Sequence, residues 1–261
     1  MKRTLLGADA LKGLPLEFES YLRGAKIFDS SCSPEARVYF IDRDDGYYLK
    51  RSAQGTLSAE AKMTEYFHSK GLSAAMLSYT CADGFDWLLT SRVKGEDCTH
   101  AQYLSEPKRL ARLLGERLRF LHSLDFSDCP VQDRMSAYRL TAEKNYANGN
   151  FDSSFFGDGK AGARDIWREI EMGGDALSGR ALLHGDYCLP NVMLDGWRFS
   201  GFIDLGNGGV GDRHIDLFWG AWTLNFNLHT DSYRGEFLDS YGRDAVDEEK
   251  IKLVGAYECF G

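Results

Sequence analysis

Three polar side chains in the last third of the sequence have the types and the spacing that phosphoryl transfer requires. Asp186 lies in the segment HGDYCLPN, Asn191 ends that segment five residues later, and Asp204 lies in GFIDLG. A nucleoside triphosphate is heavily anionic, so its chemistry needs a carboxylate and an amide that position Mg²⁺ and a second carboxylate that meets the incoming hydroxyl. The three side chains together supply that set.

The spacing of these residues matches the catalytic loop of protein kinases. There, an Asp orients or deprotonates the attacking hydroxyl, and an Asn five residues later holds magnesium. In this chain an apolar-apolar-Asp-x-Gly segment follows, with Asp204 thirteen residues after Asn191. The alternative interpretation, in which Asp186 caps a turn and Asp204 is a solvated carboxylate, leaves the combined spacing unexplained.

Short buried strands are expected to position the two aspartates. The apolar runs 181–183 and 192–194 flank the first motif, Asp195-Gly196 predicts a turn, and 199–203 predicts the next strand. We therefore expect Asp186 and Asp204 at the ends of neighbouring strands, where both face one site.

A lysine and a glutamate nearer the N-terminus fit the same chemistry. Strands are predicted at 37–41 and 47–50, joined by an Asp-Gly turn, and Lys50 ends the second of them. Glu60 falls on the apolar face of a predicted helix over 57–70, where a carboxylate needs a cationic partner. Lys50 would supply that partner; the alternative is a weak surface ion pair or none.

The loop expected to cover the phosphates is rich in serine and does not carry GxGxxG. It reads SSCSPEARVY over residues 30–39, and backbone N–H groups and hydroxyls in such a turn still bind phosphate oxygens. The missing glycine motif and the missing Ala-Pro-Glu segment argue against a protein kinase.

The remaining pattern predicts a β-rich first part and a helical second part. A further strand is predicted at 85–90, and the strands with one helix form a small α+β lobe. The second part begins with a helix whose apolar face runs from Leu110 to Leu121 and whose N-cap is Ser105. A loop is expected at 148–162, and further helices at 136–147, 163–172, 213–226, 233–241 and 246–259. We place the domain boundary between residues 93 and 94, which gives domains 1–93 and 94–261.

Composition and charge restrict the class of partner. The 261 residues are 43% hydrophobic and 27% charged, which is typical of a globular protein with a sizeable core. The net charge of −8 argues against a protein that binds nucleic acid by neutralising phosphates. Residues 96–261 carry 18 basic and 27 acidic side chains, whereas residues 1–95 carry 13 and 12. This excess favours a cationic partner over an anionic one, although a merely solvated acidic surface is the simpler interpretation.

Cysteine usage and hydropathy predict a soluble, cytoplasmic chain without membrane partners. The six cysteines contain no CxxC pair, which indicates scattered, reduced and mostly buried thiols. The longest apolar run, 217–224, is too short to span a bilayer, and Asp9 and Lys12 interrupt any leader-like core at the start. We expect a monomer or a weak dimer.

The chain strongly resembles the aminoglycoside 3'-phosphotransferases, a family of kinases with a protein-kinase-like fold. The resemblance covers nearly the whole chain, and the pair HGDxCxPN and GFIDLG is typical of aminoglycoside and related antibiotic kinases. The matching positions are Ser33-Pro34, 37–39, 48–50, Glu60, 121–124, 184–191, 201–206, 211–213, Asp216 and 257–260.

The resemblance implies an α+β fold with two lobes, a small β-rich N-terminal lobe and a larger, mainly helical C-terminal lobe. It also implies the nucleotide site, with ATP as the donor, GTP as an open alternative, and Mg²⁺ as the metal. Asp186 would be the catalytic residue, and Asn191 and Asp204 the magnesium ligands. The residues implied on the nucleotide side are Lys50 with Glu60 for the phosphates, Tyr48 and the backbone of Ser91 and Val93 for the adenine, and Ser33 for the β-phosphate.

On the acceptor side the resemblance implies an acidic cleft built from the 148–162 loop and the end of the chain. The residues concerned are Asp152, Asp158, Glu258, Phe260 and Gly261. Many members carry an Arg three residues after the metal-binding Asp, where this chain has Asn207, and many end at the Phe that precedes Gly261. Which aminoglycosides fit the cleft is therefore open.

The expected function is ATP-dependent phosphorylation of the 3'-hydroxyl of aminoglycoside antibiotics by direct in-line transfer, which would confer resistance. The alternative within the same fold is a kinase of another small alcohol, such as a choline-like or homoserine-like acceptor or a different antibiotic. A pseudokinase would lack at least one of Lys50, Asp186, Asn191 and Asp204, and all four are present.

Overall fold

The structure is a computed structural model that describes residues 3–7 and 14–261. The chain divides into two compact units, Met1–Asp97 with Val192–Gly206 and Cys98–Asn191 with Asn207–Gly261. Asp9 and Lys12, on which the expected absence of a leader partly rests, lie outside the described residues.

A six-stranded antiparallel sheet forms the first unit. Its strands are β1 (Thr4–Leu5), β2 (Lys26–Asp29), β3 (Ala36–Asp42), β4 (Tyr47–Ala53), β5 (Met76–Ala82) and β6 (Phe85–Ser91). Their order in the sheet is β1-β2-β3-β4-β6-β5. The predicted hairpin joins β3 to β4, and Gly46 takes φ 93° in its turn, a conformation that favours glycine. Lys50 therefore lies on a central strand, opposite Val38 of β3 and Leu88 of β6.

The first unit also contains the helix α2 (Ser58–Ser69) and the short helix α1 (Glu19–Leu22). One face of the sheet buries a cluster that includes Phe18, Ile41 and Trp87, and a second cluster contains Leu57, Ala61 and Leu88. Helix α2 lies next to β5 and buries Met63 and Phe67, as its predicted periodicity requires, and also Glu60.

The first unit contains a second sheet of three strands, β7 (Glu96–Asp97), β9 (Val192–Asp195) and β10 (Arg198–Phe202). Their order in the sheet is β10-β9-β7. Two ranges group differently from the predicted domain boundary: residues 94–97 and 192–206 belong to the first unit. The reason is that β9 pairs with both β7 and β10, and the N–H of Phe202 donates to the carbonyl of Leu72.

The second unit is mainly helical, as expected. Its helices are α3 (Ala101–Leu104), α4 (Pro107–His122), α5 (Arg134–Ala147), α6 (Ala163–Gly173), α7 (His214–Leu228), α8 (Arg234–Tyr241) and α9 (Glu248–Glu258). Helix α4 packs against α8, and α7 packs against α9. A two-stranded sheet of β8 (Ala181–Leu183) and β11 (Gly209–Gly211) lies beside α5.

Two expectations about these elements are wrong. The N-cap of α4 is Glu106 and not Ser105, because Pro107 occupies the first helical position and the Ser105 hydroxyl donates to the carbonyl of Gln102. The strands before Asp186 and Asp204 are not neighbours, because β8 pairs with β11 and β10 pairs with β9. The glycine-rich β11 has too weak a strand pattern to be recognised from sequence.

None of the six cysteines, all of which lie within the described residues, forms a disulfide bond, and four of them are buried, as predicted: Cys98, Cys129, Cys188 and Cys259. Among residues 3–7 and 14–261, no helix combines the length and the hydropathy needed to cross a membrane.

Candidate active site

Lys50, Glu60 and Asp204 meet in the first unit. The Lys50 ammonium lies 2.8 Å from Glu60 Oε2, 3.0 Å from Glu60 Oε1 and 2.9 Å from Asp204 Oδ1. The predicted pairing of Lys50 with the helix glutamate is therefore confirmed. The glutamate arrives from α2 and the aspartate from the turn after β10, so one ammonium links two elements of the unit.

Burial decides the electrostatics of this cluster. Glu60 is only 8% exposed, and burial raises the pKa of its carboxyl although Lys50 opposes the shift. Burial alone would lower the pKa of Lys50, but the carboxylates of Asp204 and Glu60 outweigh it and hold that pKa above its ordinary value. The ammonium therefore stays charged at every physiological pH, as an anion-binding lysine must.

Asp204 has a backbone conformation that is uncommon for an aspartate. Its φ is 57°, in the left-handed region, and about half of its side chain is exposed. Such conformations cost free energy and cluster at functional sites. The oxygens of Asp204 are hard donors of the kind that Mg²⁺ prefers, so the residue fits the metal ligand implied by the sequence.

Of the other residues predicted for the nucleotide, only Tyr48 lines a second cavity of the first unit, and Ser33, Ser91 and Val93 do not. Tyr48 lines a cavity of about 210 Å³, together with Arg3, Arg92, Gly95, Glu96, Asp97 and Met193. The Tyr48 hydroxyl accepts a hydrogen bond from Arg3 at 2.8 Å. The N–H of Ser91 donates to the carbonyl of Ala75, and the Ser91 hydroxyl accepts from the N–H of Ala75. Val93 is buried, and Ser33 is exposed and lies beside Glu35. Sequence analysis missed Arg3 and Arg92.

Asp186 lies in the second unit on a tightly held turn after β8. Gly185 has φ 84°, and a Cβ there would lie 1.9 Å from the carbonyl oxygen of Asn207, so only glycine fits. The fully buried Asp216 of α7 accepts the N–H groups of His184 at 2.8 Å and Gly185 at 2.7 Å. The backbone before Asp186 is thus fixed from two sides.

Asn191 fixes the Asp186 side chain. Its amide nitrogen donates to Asp186 Oδ2 at 2.8 Å and to the Asp186 carbonyl at 3.0 Å. Because the nitrogen is used in this way, the amide oxygen is the atom that remains for a metal ion. An amide oxygen also suits Mg²⁺, so the residue types at 191 and 204 both fit the implied ion.

A cavity of about 330 Å³ opens beside Asp186. Its lining residues are Arg134, Tyr138, Thr141, Leu183, Gly185, Asp186, Asn207, Ile215, Trp219, Tyr257, Glu258 and Gly261. All of them belong to the second unit, which carries 17 basic and 23 acidic side chains. The cavity therefore contains Asp186, several aromatic side chains and the carboxyl group of Glu258.

Glu258 is the buried carboxylate of this cavity. It is 9% exposed, and its Oε1 accepts hydrogen bonds from Tyr138 at 2.8 Å and Trp219 at 3.1 Å. Burial raises its pKa to about 7, with a further contribution from Asp186, while the two hydrogen bonds and Arg134 act in the opposite direction. Near neutral pH this carboxyl is poised between its charged and neutral forms.

The predicted acceptor residues separate into two groups. Glu258 and Gly261 line the cavity with Asp186. Phe260 is buried against Tyr146 and Trp167. Asp152 caps the 3-10 turn Ser153–Phe155, Asp158 pairs with Lys160 at 3.0 Å, and neither lines this cavity. Sequence analysis missed Arg134, Tyr138 and Trp219; the four-residue spacing of the first two on α5 was the one available signal.

Comparison with known proteins identifies the family. The sequence profile of the phosphotransferase enzyme family matches residues 33–253. The chain therefore belongs to this family of phosphotransferases, and its fold is the α+β, protein-kinase-like fold.

Two relatives of this chain are aminoglycoside 3'-phosphotransferases by name. A probable aminoglycoside 3'-phosphotransferase of Lactococcus lactis is 49% identical over 252 residues, which are 96% of each chain. An aminoglycoside 3'-phosphotransferase of Niallia circulans is 31% identical over 209 residues, 76% of each chain. The resemblance stated from the sequence motifs is thereby confirmed.

Solved structures agree on the fold. An aminoglycoside-3'-phosphotransferase of type VIII superposes with a TM-score of 0.79 at 24% identity, over 95% of this chain and 100% of the other. An aminoglycoside phosphotransferase of Streptomyces rimosus, in complex with ADP and streptomycin, gives 0.74 at 20% identity over 86% and 90%.

Proposed function

We propose that this protein transfers the γ-phosphoryl group of ATP to the 3'-hydroxyl of aminoglycoside antibiotics and so inactivates them. One observation carries the proposal: the cavity of the second unit brings Asp186 together with the buried Glu258 in an acidic part of the chain. An aminoglycoside is a polycation rich in hydroxyls, and a carboxylate-lined cavity attracts and holds such a ligand. The names of the relatives support the same substrate class.

Asp186 is the residue that we assign to the acceptor hydroxyl. With one carboxylate oxygen held by Asn191, the group is fixed in orientation and accepts the proton as the hydroxyl oxygen bonds to phosphorus. ADP leaves on the opposite side in a direct in-line displacement, so no phospho-enzyme forms. A base positioned in this way typically contributes about 10²–10⁴-fold to the rate.

Lys50 and Glu60 are assigned to the nucleotide phosphates. The ammonium is permanently charged and is kept in place by the buried glutamate, so it can neutralise phosphate oxygens without prior reorganisation. Asn191 and Asp204 are the residues that would hold Mg²⁺, which lowers the electrostatic cost of bringing an oxygen nucleophile to a triphosphate. Tyr48, Ser91, Val93 and Ser33 are assigned to the adenine and the β-phosphate.

The test is phosphorylation by the purified protein. We expect it to add one phosphoryl group to 4,5- and 4,6-disubstituted aminoglycosides in the presence of Mg·ATP, detected by mass spectrometry. Choline and homoserine should gain none, and the Asp186→Ala variant should lose about 10²–10⁴-fold of the activity on every aminoglycoside. Transfer to choline or homoserine without transfer to any aminoglycoside would replace the proposal by a kinase of another small alcohol.

A further inference from the structure

The cavity of the second unit contains one cation among its acidic and aromatic residues. Arg134 lines it together with Asp186 and Glu258, and its Nη2 donates to Asn207 Oδ1 at 2.7 Å. Arg134 is the first residue of α5, where the helix dipole disfavours a positive charge. Burial also lowers the pKa of its guanidinium. The helix dipole and the burial therefore both make this position unfavourable for a charged arginine, which is typical of a residue that serves a function.

Asn207 holds the guanidinium in a defined place. The Asn207 carbonyl oxygen packs so tightly on Gly185 that a Cβ there would come within 1.9 Å. Gly185 precedes Asp186, so the backbone of Asn207 is fixed directly against the turn that carries the catalytic aspartate. The Arg134 side chain is consequently tied to the reacting end of the cavity through one hydrogen bond.

The chemistry of a guanidinium limits what it can face. It offers five N–H donors and accepts nothing, and the hydrogen bond to Asn207 uses one of them. A ligand hydroxyl has lone pairs and can accept from the others. A ligand ammonium has only donors and the same charge, so it is rejected both by repulsion and by the missing hydrogen bond.

We propose that Arg134, held by Asn207, sets the acceptor specificity of this cavity by requiring a hydroxyl rather than an ammonium at the sugar position that it faces. The inference rests on the proposed function, because it concerns the same cavity and the same acceptors. It explains why a cation is retained in a site for polycations: Glu258 and the acidic surroundings attract the amines, and Arg134 excludes them from one position.

Two matched pairs of acceptors test the inference. Paromomycin and neomycin B differ only by hydroxyl or amine at the 6' position, and kanamycin A and kanamycin B differ only by hydroxyl or amine at the 2' position. For each pair we would measure kcat/KM and, by calorimetry, the binding constant, in the wild type and in Arg134→Met. Arg168→Met serves as the matched control, since Arg168 is an exposed residue of α6 paired with Asp165.

The expected result is specific to one pair. In Arg134→Met the preference for the hydroxyl member should fall roughly 10- to 100-fold in the pair whose variable group faces Arg134. It should change little in the other pair and in the control variant. Asn207→Ala removes the anchor but not the charge, so it should lower the same preference by a smaller factor. This second variant also keeps the test decisive if Arg134→Met does not fold.

Several outcomes would overturn the inference. Equal, small and salt-sensitive changes in both pairs would show that Arg134 acts only through the general field of the cavity. An equal loss of kcat for all four acceptors would make it a structural or rate-determining residue instead. If the wild type binds and phosphorylates none of the four, the proposed function fails together with the inference. Turnover with unchanged preferences overturns the inference alone.

Discussion

Replacing Glu258 by glutamine is expected to stabilise the protein above neutral pH. The carboxyl has an ordinary pKa of 4.5, and burial raises it to about 7 in the folded protein. Because the folded state binds this proton more tightly than the unfolded state, the stability that the proton contributes is fully present below pH 4.5. It is lost as the pH rises from there through about 7. A glutamine stays neutral throughout this range.

The size of the effect follows from the shift of the pKa. A displacement from 4.5 to about 7 corresponds to about 3 kcal/mol at 1.36 kcal/mol per pH unit. The glutamine oxygen can still accept the hydrogen bonds that Tyr138 and Trp219 donate to Glu258. The variant should therefore exceed the unfolding free energy of the wild type by less than about 1 kcal/mol at pH 5 and by about 3 kcal/mol at pH 8.

Urea denaturation of both proteins at a series of pH values between 5 and 8.5 measures this difference. Glu143→Gln, which makes the same exchange of carboxyl for amide at an exposed position of α5, is the matched control. A difference that stays constant with pH, or a wild type that is the more stable protein at pH 8, would refute the reasoning. In that case Arg134 and the two hydrogen bonds compensate the buried charge fully.

Three further predictions concern catalysis. Asp186→Ala should lose about 10²–10⁴-fold in turnover while calorimetry finds ATP affinity unchanged; an equal loss of nucleotide affinity would make Asp186 structural. Lys50→Ala should raise KM for ATP and also lower kcat, because a phosphate-binding lysine acts in ground and transition states; normal steady-state kinetics would exclude that role. KM for the aminoglycoside should rise with ionic strength at constant kcat, since salt screens the attraction between the acidic second unit and a polycation; insensitivity to salt would contradict an electrostatic acceptor site.

Contacts that depend on short stretches of sequence were predictable. The hairpin that carries Lys50 has its turn residues next to its strands, and the periodicity of α2 put Glu60 on a buried face. A buried carboxylate needs a cation, so the pairing followed from burial and proximity along the chain. Asp186 and Asn191 are likewise only five residues apart, and their side chains are joined by a hydrogen bond.

Contacts between distant segments were not predictable in this way. Arg134 and Asn207 are 73 residues apart, and nothing in the local pattern of either residue indicates the other. The pairing of β8 with β11 depends on a three-residue strand with two glycines. Asp152 shows a different difficulty: a short polar side chain at a turn satisfies local backbone N–H groups first.

Kanamycin B and tobramycin provide the most direct test of the central proposal, that Asp186 activates a 3'-hydroxyl. The two aminoglycosides are the same molecule except that tobramycin lacks the 3'-hydroxyl. With Mg·ATP, the wild-type protein should convert kanamycin B completely to a monophosphate whose phosphorus couples to the 3' proton in NMR spectra. Tobramycin should bind as a competitive inhibitor and gain no phosphate. Phosphorylation of tobramycin at a rate similar to that of kanamycin B would contradict the account.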